Sequence, residues 1–174
     1  MPQKVPSFYE LLDAAEHSAV HLEMRDQYGI EEESDEIARW QRGEAVDVDP
    51  ESEYWQDWTE AIRRALARGV VVRRARIVSE PVTTYIRYEH HITQVNVAAG
   101  ELVRWLPRSH ASDLALPGND FWLFDGKLVR FNLFDGYGRG LGPQHSDDAD
   151  VARLCAAAFE AVWGRAVDHE KYTL

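Results

Sequence analysis

The sequence predicts an α/β fold with a mixed β-sheet flanked by helices. Three observations carry this. Helical and strand patterns interleave along the chain in the order α-β-α-α-β-α-β-β-β-α. An amphipathic stretch, "DPESEYWQDWTEAIRRALARG", passes through its final glycine into the β-branched run "VVVRRARIV", the usual joint from helix to strand. Further on, "DFWLF" and "LVRFNLF" flank the pair Asp125-Gly126, which favours a tight hairpin. A chain of 174 residues fits one domain, and 45% hydrophobic with 28% charged residues places it among globular chains.

The elements follow in order. Ser7 and Glu10 form a capping box that opens a short helix, "FYELLDAAEH". In "AVHLEMR", Val20, Leu22 and Met24 share one face and His21, Glu23 and Arg25 the other, as in a half-buried strand. "EEESDEIARWQRGE" is a helix with acids in its first turn, ended by Gly43. The next helix takes Asp49 as N-cap and Pro50 as its first residue, with Tyr54, Trp58, Ile62, Ala65 and Leu66 as its apolar stripe. After "VVVRRARIV", Pro81 opens a helix that runs to Gly100, and "ELVRWL" is a strand. A loop with two prolines leads to the hairpin, whose buried face is assigned to Phe121, Leu123, Phe131 and Leu133. "DGYGRGLGPQHSDD" reads as a flexible surface loop and "DADVARLCAAAFEAVWGRAV" as the last helix. The chain thus divides into an acidic helical region, 1–60, a core, 61–166, and a loose tail, 167–174.

Charge is unevenly spread. Residues 1–60 hold 4 Lys/Arg and 17 Asp/Glu, net -13, whereas residues 61–130 hold 11 and 6, net +5. A whole-chain charge of -11 opposes phosphate and argues against direct nucleic-acid binding. The acidic third suits a basic protein partner, and the basic middle a small anionic ligand. One cysteine, Cys155, excludes a disulfide framework and sits on the apolar side of its helix. The start of the chain lacks a signal-peptide pattern, and no run reaches the ~20 apolar residues of a membrane span, so a cytoplasmic protein is expected.

Several chemistries are weighed and set aside. "GYGRGLG" is followed by Pro143 and an acidic run, not by the helix start that a phosphate loop needs. His90 and His91 are adjacent and diverge by about 100° on a helix, while His21 of the i, i+4 pair with His17 lies in a strand, so no metal site is assigned. No Gly-x-Ser-x-Gly elbow is present. No catalytic residue and no cofactor are assigned. Arginine suits bidentate recognition of carboxylate or phosphate, and Arg74 and Arg76 share a strand face. The candidate ligand or partner contacts are Arg74, Arg87, His90, Arg104, Trp105, Arg108 and Asp120. Arg108 leads because it lies just past a strand end, where ligands of open α/β sheets gather.

Two resemblances follow. "SFYELLDAAEHSAVHLEMRDQYG", "ARGVVVRRARIVSEPVTTYIRYEH", "NVAAGELVRWLPR", "LPGNDFWLFDGKLVRFN" and "LCAAAFEAVWGRAVDHEKY" resemble a domain-of-unknown-function family of uncharacterised actinobacterial proteins, abundant in streptomycetes. Its members look like companions of helix-turn-helix regulators, which implies a regulatory or protein-interaction role. More distantly, "ALARGVVVRRARIV", "GELVRWLPR" and "DFWLFDGKLVRF" resemble the half-domain of the phospholipase D-like fold. Aligning that fold's Asp with Asp125 puts Gly118 at the nucleophilic His and Asp120 at the phosphate-binding Lys. The resemblance therefore implies a degenerate half-domain, and a homodimer, because such half-domains pair. The expected function is a non-catalytic regulatory or interaction domain. The alternative is a small anionic-ligand binder or a phosphodiesterase-like enzyme with a non-standard site at the strand ends.

Overall fold

The structure is a computed structural model that describes residues 5–29 and 31–174. It is an α/β domain with a mixed seven-stranded sheet and five α-helices. In chain order these are α1 (Phe8–Ala14), β1 (Ser18–Glu23), α2 (Glu31–Gln41), α3 (Gln56–Ala67), β2 (Val71–Val78), α4 (Thr84–Ala99), β3 (Leu102–Pro107), β4 (Asp120–Phe124), β5 (Leu128–Phe134), β6 (Gly140–Ser146), α5 (Ala149–Arg165) and β7 (Val167–Asp168). The sheet order is β6-β5-β4-β1-β2-β3-β7. β1, β2 and β3 are parallel neighbours, and the other pairings are antiparallel.

Parallel neighbours need a crossover, and here helices supply it on one face of the sheet. Alternate strand residues point to opposite faces. Val20, Leu22, Ala75, Ile77, Phe121 and Leu123 therefore meet Cys155, Phe159 and Val162 of α5 in one apolar cluster. On the opposite face, Ala19, Val72, Trp122 and Phe124 pack with Leu11 and Leu12 of α1 and with Ile62 and Ala65 of α3. β1 lies near the middle of the sheet, so both of its faces are covered. The same holds for β4: Phe121 and Leu123 are buried as expected, and Trp122 and Phe124 are buried too.

The Asp125-Gly126 turn has positive φ at both residues, 51° and 66°. Its aspartate does more than turn the chain. The Asp125 carboxylate accepts the backbone N–H groups of Glu16, His17 and Ser18 at 3.0, 2.7 and 2.9 Å. It thereby fixes the α1–β1 connection against the hairpin.

Four expectations are corrected. The segment 140–146, read as a loop, is the edge strand β6 paired with β5. It shows no apolar alternation because it is largely exposed, and Pro143 is tolerated at an edge. The tail is not loose: Val167 and Asp168 pair with β3, and Tyr172 is buried and stacked on Trp105 at 5.7 Å. The helix expected from Asp49 starts at Gln56, after a run of turns in which Tyr54 is exposed. The helix expected from Pro81 starts at Thr84, capped by the Thr83 hydroxyl.

Candidate functional site

β1 and β2 each place two polar residues on the face that carries α3 and α4. His21 is in register with Arg74, and Glu23 with Arg76. β4 and β5 add Asp120 and Asn132, which are themselves in register. All six border a chamber of about 300 Å³. Trp58, from α3, and Glu89, Ile92 and Asn96, from α4, roof it, and α2 contributes Glu33. Tyr28, Tyr85, Trp55 and Phe134 supply aromatic walls. The helices do not settle onto this part of the sheet, because its side chains are charged and long.

The charges are organised around Glu23. One carboxylate oxygen accepts Arg74 Nη1 at 2.6 Å, and the other accepts Arg76 Nε. Arg74 Nε donates to Glu101 Oε2 at 3.0 Å. Glu101 Oε1 in turn accepts Trp58 Nε1 and Asn96 Nδ2, both at 2.8 Å. Arg76 Nη1 donates to Thr93 Oγ1 at 2.6 Å, and its Nη2 lies 3.3 Å from Glu89. Trp58 and Trp122 flank the Arg74 guanidinium, and Trp105 lies under that of Arg76.

Protonation follows from this geometry. Burial alone would raise the Glu23 carboxyl, but Arg76 and Arg74 outweigh it and hold it well below the usual carboxylate range. Glu89 goes the other way: burial raises it, and Arg76 already serves Glu23. Burial raises Asp120 to about 6 and Glu33 in the same direction. Neither Asp120 nor Glu33 has an ion-pair partner among the described residues. Asp120 accepts the Tyr28 hydroxyl and the Met24 N–H, and Glu33 accepts the Tyr85 hydroxyl at 2.8 Å. His21 is 6% exposed and stacked on Trp122 at 4.3 Å. Its Nδ1 sits 3.2 Å from Glu23, yet makes no hydrogen bond. Burial keeps the imidazole well below its usual range despite Glu23, so the ring is neutral.

Outside the chamber, a wider cavity of about 760 Å³ opens between α2 and the start of α4. Tyr28 and Tyr85 border both spaces, with their rings 5.7 Å apart, and form the partition between them.

The residues singled out from sequence do not gather at one place. Arg74 and Asp120 border the chamber. His90 and Trp105 join His169 and Tyr172 in a separate cluster, with Trp105 Nε1 donating to His169 Nδ1 at 3.1 Å. Arg104 is held by Asp168 and the Trp163 carbonyl, and Arg87 lies exposed on α4. Arg108 donates to the carbonyls of Met24 and Ile77 and to Ser79 Oγ, tying together the ends of β1 and β2. Sequence reasoning missed Glu23, Glu89, Glu101, Trp58, Tyr28 and Tyr85 as site residues. Only Glu23 carried a signal: the polar positions of "VHLE" and "RRAR" share a face once the two strands are paired.

Among the described residues, no three His, Cys, Asp or Glu side chains are grouped so as to hold a metal ion. No described helix is long and apolar enough to cross a membrane. No curated protein matches the chain. Residues 6–174 match the model of a domain of unknown function, DUF6879, and the chain belongs to that family.

Proposed function

We propose that this domain is a non-catalytic, regulatory ligand-binding module with the chamber above β1 and β2 as its site. The burial of Glu23, Arg74, Arg76, Glu89 and Glu101 beside about 300 Å³ of open space carries this reading. Stability does not require such an arrangement. Apolar residues of similar volume match or better a buried ion network, and the α5 face is built that way. A concave space with aromatic walls and a few convergent polar groups suits a small molecule. Phosphodiester chemistry fits poorly: the chamber arginines are engaged by carboxylates, and the phospholipase D-like resemblance would put Gly118 and Asp120 where a nucleophile and a phosphate-binding lysine are needed.

The test is a thermal-shift screen of metabolites on wild type and on Ile92→Trp, which fills the chamber. A ligand that binds only the folded state raises the midpoint with concentration. Shifts seen in wild type and lost in Ile92→Trp support the reading. Equal shifts in both proteins place the binding elsewhere and refute it.

A second role is favoured by surface charge. Asp35, Asp47, Glu53 and Asp57 are exposed along α2, the loop after it and the start of α3. This face suits a basic partner, and a helix-turn-helix regulator is the partner we expect. Complementary charge raises on-rate and specificity. Co-elution with the neighbouring regulator should weaken with salt, and its absence at low and high salt would count against this role.

A further inference from the structure

The chamber holds more carboxyl groups than cations. Glu23, Glu33, Glu89 and Asp120 border it, against Arg74 and Arg76. Glu101 adds a further carboxylate beneath Arg74. Both arginines are already engaged: Arg76 donates through Nε and Nη1 and pairs through Nη2, and Arg74 donates through Nε and Nη1. An entering anion would face these carboxylates, and guanidiniums already engaged by them. Asp120 and Glu33, by contrast, have no ion-pair partner among the described residues: Asp120 accepts the Met24 N–H on one oxygen and the Tyr28 hydroxyl on the other, and Glu33 accepts the Tyr85 hydroxyl, the two tyrosines being the side chains that separate the chamber from the outer cavity. A cation could replace those hydroxyls and gain charge-assisted bonds in their place. Aromatic faces stand beside them: Tyr28 lies 5.2 Å from Phe134 and 5.7 Å from Tyr85. His21 also borders the chamber and is 6% exposed, and its Nδ1, 3.2 Å from Glu23, makes no hydrogen bond.

On the reading that the chamber is a ligand site, we propose that its ligand is a flat organic cation, with an amidinium, guanidinium or protonated amino-heteroaromatic head. The head lies among Asp120, Glu33 and Glu89, and the flat body lies against the aromatic walls. Seating requires the Tyr28 and Tyr85 hydroxyls to give up their carboxylates, so ligand occupancy and opening of the partition are one event. Burial raises Glu89 to about 8, and ionisation of that carboxyl beside the cation releases a proton on binding near neutral pH. The groups facing Asp120, Glu33 and Glu89, one another included, are Glu23 on β1, Arg74 and Arg76 on β2, Glu33 on α2, Tyr85 and Glu89 on α4, and Tyr28 with Arg25 in the loop after β1.

Three probes of nearly equal size and shape test this: benzamidine, benzamide and benzoate, titrated into the full chain and followed by tryptophan fluorescence, to which Trp55 and Trp58 at the chamber contribute among the six tryptophans. Benzamidine is expected to bind saturably, and the neutral and anionic probes at least about tenfold more weakly. Asp120→Asn should weaken benzamidine by about tenfold. Calorimetry of the wild type in two buffers of different ionisation enthalpy should show proton release, which keeps the test independent of how the variant folds. Benzamide or benzoate quenching as strongly as benzamidine would overturn the cation assignment and leave the ligand-site reading standing. No response to any of the three at millimolar concentration would sink both.

Discussion

The two faces of the sheet are covered by different chemistry. Under α5, Val20, Leu22, Ala75, Ile77, Phe121, Leu123, Cys155, Phe159 and Val162 close into an apolar cluster. Under α3 and α4, next to an apolar cluster of comparable quality, lie His21, Glu23, Arg74, Arg76 and Asp120, with space above them. Both faces come from the same strands, so the difference is not one of fold. The α5 face shows what packing this sheet accepts when stability alone is served. The charged part of the other face departs from that, and the departure is the ground for proposing a site there.

The comparison is sharpened first by substitutions of large effect on each face. Phe159→Ala empties a fully buried position against the sheet and should cost about 3–5 kcal/mol in urea unfolding. It should leave the chamber's ligand preference unchanged. Glu23→Gln should cost a similar amount, about 3–5 kcal/mol, because it leaves Arg74 and Arg76 buried without their shared carboxylate. Unlike Phe159→Ala, it should also disturb binding. If Glu23→Gln were neutral, the network would be wetter and weaker than its geometry indicates.

A smaller effect separates the faces by pH. Burial raises Asp120 from 3.8 to about 6. A carboxyl raised in the fold favours folding while it is protonated. Its contribution is complete below the unfolded value and disappears as pH rises through about 6. The size is about 3 kcal/mol. Glu23 has the opposite sign: its depressed value stabilises above its ordinary 4.5 and is lost as pH falls. The difference between wild type and Asp120→Asn isolates the first effect. The wild-type advantage should be greatest below the unfolded value of 3.8 and gone by about pH 7. A difference that grew with pH would mean that Asp120 is ionised and paired.

The smallest expected change lies outside both faces. Asp125→Ala removes the acceptor of three backbone N–H groups at the α1–β1 connection. Hydrogen exchange at residues 16–18 should speed up, with a loss of about 1–2 kcal/mol. Neither face should be altered.

Much of this fold was legible in the sequence because its signals are local. The helix-Gly-strand joint at Gly69, the capping box at Ser7 and Glu10 and the Asp125-Gly126 hairpin depend on neighbours in the chain. β6 and β7 were not legible, because an exposed edge strand carries no apolar alternation and a two-residue strand carries no pattern at all. The site was half legible. Period-two alternation puts His21 with Glu23 and Arg74 with Arg76, but it does not say what covers that face. A polar face reads as solvent-facing until the topology places β1 between β4 and β2. Trp58 read as part of a helix's apolar stripe for the same reason, and Asp120 was reached through the hairpin's approach, not through its neighbours in space.

The central claim is that the charged face is kept for binding and not for stability. The direct measurement is urea unfolding of a variant in which the network is replaced together, Glu23→Leu, Arg74→Met, Arg76→Met, Glu89→Leu and Glu101→Gln, with a benzamidine titration of the same protein. The account predicts a folded protein as stable as wild type or up to about 1–4 kcal/mol more so, with benzamidine bound at least about tenfold more weakly. A variant several kcal/mol less stable than wild type, or one that bound benzamidine as tightly, would contradict it.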